Sequence, residues 1–137
     1  MDILGYYTSL SFQTTQPAPE NGVLPPNDKG IVYFDEEKYL AGFCGDLSKE
    51  EAAFMYVSQG AFYSECFVRP IPEAAWRNKP AYGIVATKDK SINLEIQRSM
   101  YRRSNTIEIK DSCSVYVSQP EKVAAFIAKV ASELSEE

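Results

Sequence analysis

The chain has 137 residues, 45% of them hydrophobic and 24% charged, with a net charge of −5 and an isoelectric point near 4.8. That length and balance fit one globular domain. The acidic surplus excludes nucleic acid as a partner, because phosphate recognition needs clustered Lys and Arg, and no apolar stretch approaches the roughly 20 residues that span a bilayer. The one basic cluster, Arg98 with Tyr101-Arg102-Arg103, reads as a solvated helix end complementing the helix dipole. The amino terminus lacks the charged and apolar regions of a signal peptide, so a soluble, cytoplasmic protein is expected. Cys44, Cys66 and Cys113 are an odd count without Cys-x-x-Cys spacing, and histidine is absent. Free thiols, no metal site and no cofactor are therefore expected.

In chain order, residues 1–30 carry little periodicity. Tyr6 to Thr14 alternates weakly, with Leu10 and Phe12 on one face. Pro17, Pro19, Pro25 and Pro26, interspersed with Asn21-Gly22 and Asp28-Lys29-Gly30, predict a turn-rich connector. After a short extended piece at Ile31-Val32-Tyr33-Phe34 the pattern becomes helical. Asp35 is a plausible N-cap for a helix reaching Phe43, with Tyr39, Leu40 and Phe43 at helical spacing. Ser48-Lys49-Glu50-Glu51 matches a capping box and opens a helix whose Ala52, Met55, Tyr56 and Gln59 form one side. Gly60 ends or interrupts it. A further helical turn or two is expected around Ala61 to Cys66, before Pro70 and Pro72 break the pattern. Phe43, Phe54, Tyr56, Phe62 and Phe67 in this segment are expected mainly in a packed core.

The stretch from Ala81 to Ile127 reads as a βαβα unit. Tyr82-Gly83-Ile84-Val85-Ala86-Thr87 is a short apolar run ended by Asp89-Lys90-Ser91, and Thr106-Ile107-Glu108-Ile109 is a second strand followed by the polar loop Asp111-Ser112-Cys113-Ser114. A parallel pair needs a crossover, and Asn93 to Arg103 supplies a helical one, with Leu94, Ile96, Met100 and Tyr101 to pack on the sheet. Both loops then sit at one sheet edge, where open α/β sheets keep their chemistry. The last helix is the clearest element: Ser118-Gln119-Pro120-Glu121 reads as a capping box, and Val123, Ile127, Val130 and Leu134 form a face expected to be buried. The fold class is α/β: an irregular segment over 1–30, a helical cap-like region over 31–75, and a βαβα unit over 76–137 with a small parallel sheet.

The runs Trp76-Arg77-Asn78-Lys79-Pro80, Val85-Ala86-Thr87-Lys88-Asp89-Lys90-Ser91-Ile92, Leu94-Glu95-Ile96-Gln97-Arg98 and Val115-Tyr116-Val117-Ser118-Gln119-Pro120 resemble the carboxyl-terminal part of the α/β-hydrolase superfamily. In that family the loop after the penultimate strand carries the acid of a Ser-His-Asp triad, and the loop after the last strand carries the histidine. Carried over by position, Asp89 matches the acid, whereas Cys113 stands where the histidine is expected. The resemblance covers only the rear half of such a fold, and no Gly-x-Ser-x-Gly occurs in the sequence. It also implies that the helical region is a cap over a pocket, with Tyr56, Phe62 and Trp76 as candidate ligand-binding aromatics for a small apolar ligand. Packing is the competing role for each of the three.

A serine-hydrolase mechanism needs a nucleophile, a base and an acid, and this chain offers only the acid. Asp89 without an imidazole reads as a loop carboxylate that caps a helix or accepts backbone hydrogen bonds. Activating Cys113 would require a nearby cation or helix amino terminus, whereas Asp89 and Asp111 nearby would raise its pKa. Two parallel strands also leave unpaired backbone and apolar surface. The expected protein is a hydrolase-like fragment or pseudoenzyme, inactive alone, that completes its sheet with a second copy or with a separate amino-terminal hydrolase half. The alternative is a serine-hydrolase subunit whose nucleophile comes from another chain.

Overall fold

The computed structural model describes residues 22–67, 69, 72–101 and 105–135, and the alternation around Leu10 and Phe12 lies outside them. Asn27 closes the first described turn: its side-chain oxygen accepts from the amides of Lys29 and Ile31, both at 3.0 Å. Gly30 supplies the left-handed conformation (φ 74°) that directs the chain into β1 (Ile31–Val32). Strand β1 pairs antiparallel with β2 (Phe62–Tyr63), Ile31 opposite Tyr63 and Val32 opposite Phe62. The helical turns expected from Ala61 to Cys66 are thus confined to a 3₁₀ turn at Ser64–Phe67. The cause is tertiary: β1 needs a partner for its backbone, and two adjacent aromatics suit a pleated edge.

Asp35 caps helix α1 (Glu36–Lys38), its carboxylate accepting from the Lys38 amide at 3.0 Å. The helix continues as a π-helical turn over Tyr39–Phe43, closed by the Cys44 amide donating to the Tyr39 carbonyl at 3.2 Å. Ser48 opens α2 (Lys49–Val57) with both halves of the capping box in place: its hydroxyl accepts from the Glu51 amide and its own amide donates to the Glu51 carboxylate. Tyr39, Cys44 and Ala52 form the buried centre, with Phe34, Leu40, Phe43, Leu47, Met55 and Tyr56 around it. Phe54 and Phe62, expected in the core, are instead 71% and 45% exposed. Ala52, Met55 and Tyr56 take the inward side of α2, which leaves Phe54 and Val57 on the outward side.

Strand β3 (Tyr82–Ala86) and β4 (Asn105–Ile109) pair in parallel, from Tyr82 opposite Asn105 to Ala86 opposite Ile109. The crossover is α3 (Leu94–Met100), capped by the Asn93 side chain, which accepts from the amides of Glu95 and Ile96. The Asn105 amide donates to the Ala81 carbonyl and the Thr87 amide to the Ile109 carbonyl, so the odd-numbered residues of β3 address β4. Tyr82, Ile84 and Ala86 turn their backbone to the other edge. There the Ala86 amide finds the Gln97 side-chain oxygen at 3.3 Å, while no described strand takes up the backbone of Tyr82 or Ile84 on that edge.

The chain ends in α4 (Val115–Ser118) and α5 (Pro120–Ser135). The expected capping role of Ser118 gives way to another bond, because Ser118 closes α4 and its hydroxyl donates to Asp111 at 2.8 Å. The expected burial of the α5 stripe also fails. No residue of α5 is buried, and Ile127 and Leu134 are 61% and 44% exposed. The stripe instead faces Tyr82, Gly83 and Ile84 across an apolar groove of about 390 Å³, because a sheet of two described strands is too narrow to cover it.

A seam joins the cap-like segment to the βαβα unit. The Ser114 amide donates to the Phe43 carbonyl at 3.1 Å, the Ser112 amide donates to the Asp46 carboxylate, and Lys88 pairs with Asp46 at 3.6 Å. On β3, the Tyr101 ring lies over buried Gly83 so closely that a Cβ there would stand 2.8 Å from the ring. Gly83→Ala should therefore lower stability by about 1–3 kcal/mol through overpacking, read from the midpoint of urea unfolding.

Candidate functional site

The loop leaving β3 carries Asp89 at the carboxyl end of the sheet. One carboxylate oxygen accepts from the amides of Ser91 (2.7 Å) and Ile92 (3.1 Å), and the other accepts from the Gln97 amide nitrogen at 3.0 Å. Gln97, only 6% exposed, ties the assembly together, since its nitrogen also donates to the Ile92 carbonyl while its oxygen takes the Ala86 amide. Gln97 was not singled out from sequence. The available signal was its position between Leu94 and Tyr101 on the sheet-facing side of the crossover helix, where a polar residue requires partners.

Asp89 and Cys113, the two family-position candidates, are brought together on one cavity wall, close enough that each shifts the other's pKa. Burial raises the Asp89 carboxyl above the usual range, against the lowering effect of the Ile92 and Ser91 amides and of Cys113. Burial pushes the Cys113 thiol up to about 12, helped by the Asp89 charge, the hydrogen bond to it and nearby Cys44. At neutral pH the sulfur is protonated, so it is neither a base nor an activated nucleophile. Of the two neighbouring acids expected to raise the thiol, Asp89 does so, whereas Asp111 is not among the causes.

A cavity of about 190 Å³ opens beside this pair, lined by Ile84, Ala86, Ile92, Met100, Tyr101 and Val115 together with Asp89, Gln97 and Cys113. Tyr56, Phe62 and Trp76 are not among its walls. Tyr56 donates its hydroxyl to the Phe34 carbonyl at 3.2 Å and packs 5.5 Å from the Tyr39 ring. Phe62 lies in β2, and Trp76, in a 3₁₀ turn at Ala75–Arg77, is 42% exposed with the Arg77 guanidinium 5.3 Å above its ring. Among the described residues no group of three or more His, Cys, Asp or Glu could hold a metal ion.

The loop after β4 holds a second, deeper polar cluster. Asp111, Ser112 and Ser114 are 3%, 2% and 0% exposed. Asp111 accepts from the Ser112 amide and the Ser118 hydroxyl, both at 2.8 Å, and from the Gln119 side chain. The hydroxyls of Ser112 and Ser114 bond to each other at 3.0 Å. Burial works to raise the Asp111 pKa, but the neighbouring Asp46 side chain and the hydrogen bonds donated by Ser118, Gln119 and the Ser112 amide outweigh it and hold the pKa at about 2.

No family model matches the sequence, and no curated protein matches it. Solved structures do. A pyrethroid hydrolase matches 90% of this chain over 53% of its own, at 20% identity and a TM-score of 0.68. The pyrethroid hydrolase from Sphingobium faniae JZ-2 matches 90% of this chain over 54% of its own, at 21% identity and a TM-score of 0.64. A mutant of polyneuridine aldehyde esterase matches 95% of this chain over 56% of its own, at 12% identity and a TM-score of 0.73. These are α/β-hydrolase superfamily members, and the chain spans about half the length of the solved structures it matches. The fold is accordingly a partial α/β-hydrolase fold, as the resemblance of the runs around Asp89 and Tyr116 implies. No helix among the described residues is long and apolar enough to cross a membrane.

The depressed Asp111 pKa fixes an acid limb. A carboxyl held below its unfolded value of about 3.9 contributes stability above that pH and loses it as pH falls through the folded value, here between about pH 4 and 2. The loss should be on the order of 2–3 kcal/mol, from a shift of about two units at 1.36 kcal/mol each. Asp111→Asn should be less stable at pH 7 and lack this part of the limb, which urea unfolding across pH would record.

Proposed function

We propose that this chain is a catalytically disabled half of an α/β-hydrolase fold that acts by self-association through the open edge of β3 and the groove beneath α5. One observation carries the reading: a parallel two-stranded sheet, of a kind normally buried on both faces, borders an apolar groove and an edge that no described strand covers. Burying several hundred Å² there at roughly 25 cal/mol per Å² is worth on the order of 10 kcal/mol before the cost of association, comparable with a domain's whole stability. A two-fold axis along the β3 edge would pair Tyr82 and Ile84 with their copies and bring the two α5 stripes together.

The chemistry of the Asp89 loop supports the disabled part of this reading. The sequence has no histidine, the Cys113 thiol is pushed up to about 12 and stays protonated, and the serines beside it are buried and bonded to each other. A second reading is favoured by one observation, that the loops after β3 and β4 still meet through Asp89 and Cys113 in a chain matching half of hydrolase-length structures. In that reading another polypeptide covers the β3 edge and brings nucleophile and base.

Two measurements test these readings. The isolated protein should not turn over a chromogenic acetate ester above the buffer rate; turnover lost in Cys113→Ala would sink the inert-thiol reading. In sedimentation equilibrium the wild type should be a dimer at low micromolar concentration. Ile127→Lys, on an already exposed position, should be a monomer with unchanged circular dichroism. A monomeric wild type would overturn self-association and leave the reading that requires a second polypeptide.

A further inference from the structure

We propose that the cavity beside Asp89 is a binding site for a small organic ammonium ion carrying a single hydrocarbon ring, with the Asp89 carboxylate as its counter-ion and the apolar walls around its ring. The inference does not rest on self-association. Size comes first: pockets for drug-sized ligands run to about 300–1,000 Å³, whereas a void of about 150 Å³ holds benzene. The volume of about 190 Å³ thus fits one ring and a short polar appendage.

The walls set the chemistry. Ile92, Met100, Val115 and the Tyr101 ring offer apolar contact, and Tyr101 also presents an aromatic side chain suited to a cation. The charged group on the wall is Asp89, and its donors are all neutral: two backbone amides and the Gln97 amide, with the neutral Cys113 thiol nearby. The ion pairs among the described residues are Lys88 with Asp46, Arg98 with Glu108, and Lys129 with Glu133, and none includes Asp89. Lys88, one residue away, is committed to Asp46. A half-buried carboxylate with no cation paired to it among the described residues, beside an apolar space of one-ring size, favours a ligand that supplies that charge, since an ion pair gains strength away from water.

Benzylammonium is the probe, with benzyl alcohol as its neutral counterpart. Calorimetry on the full chain at neutral pH should show one benzylammonium per chain, about tenfold tighter than the alcohol. Amide NMR shifts should centre on Ser91, Ile92 and Gln97. Asp89→Asn should abolish the preference for the ammonium. Because that change also alters the loop, Met100→Trp, which fills the cavity from another of its lining residues, should remove binding of both probes while keeping the native circular dichroism. Equal affinity for ammonium and alcohol, binding undiminished in Met100→Trp, or no binding at millimolar concentration would each overturn the proposal. The Ile127→Lys chain should bind as the wild type does, so loss of the dimer and loss of this site are read separately.

Discussion

The loop between β4 and α4 is tied down by a carboxylate with almost no contact with water. Asp111 gathers the Ser112 amide, the Ser118 hydroxyl and the Gln119 side chain, and the same Ser112 amide is also reached by Asp46. These bonds set how the strand turns into the last two helices and how the cap-like segment sits on the sheet. A buried charge is tolerable only with such complete coordination, and removing one donor would leave the rest of the cluster with an uncompensated penalty. The position of Cys113, between two members of this cluster, follows from it. The thiol meets Asp89 because the loop around it is held from below.

The same rigidity does not extend to the outer side of the sheet. Around Asp89 and Asp111 nearly every polar atom has a partner within the chain, and buried Ser91 Oγ is the side-chain exception among the described residues. Across β3, by contrast, Tyr82 and Ile84 present backbone to an open edge and α5 offers an apolar stripe to a groove. Among the described residues the carboxyl-end loops are thus satisfied internally, while no described strand covers the β3 flank of the sheet.

Local signals in the sequence were read correctly where local physics decides. The Asp35 cap, the Ser48 capping box, the strand at Tyr82–Ala86 and its parallel partner at Asn105–Ile109 follow from short-range patterns. Phe62-Tyr63 forms a strand where a helical turn is expected, because a short apolar run has no decisive period and its strand state depends on Ile31-Val32 about thirty residues away. The bond from Ser112 to Asp46 spans 66 positions, which no local pattern encodes. The α5 stripe shows the converse limit. Periodicity establishes that Val123, Ile127 and Leu134 share a face, but what covers a face is a property of the whole assembly. At the candidate site, Asp89 and Cys113 were reachable through loop position, while Gln97 was hidden because a glutamine in a helix is ordinarily a surface residue.

The π-helical turn at Tyr39–Phe43 has a consequence for how this chain can change length. Its wider loop of backbone sets the Tyr39 and Phe43 rings 4.9 Å apart and nearly parallel, and leaves the Phe43 carbonyl facing the Ser114 amide. Removing a single residue here would regularise the helix and look harmless as local geometry, yet each residue turns an α-helix by about 100°. Everything from Cys44 to the Ser48 cap would then swing around the helix axis, taking Asp46 away from Ser112 and Lys88. The extra residue acts as the angular setting of the cap-like segment on the sheet, and deletions should be tolerated far better in the exposed Ser58-Gln59-Gly60 turn than in this one.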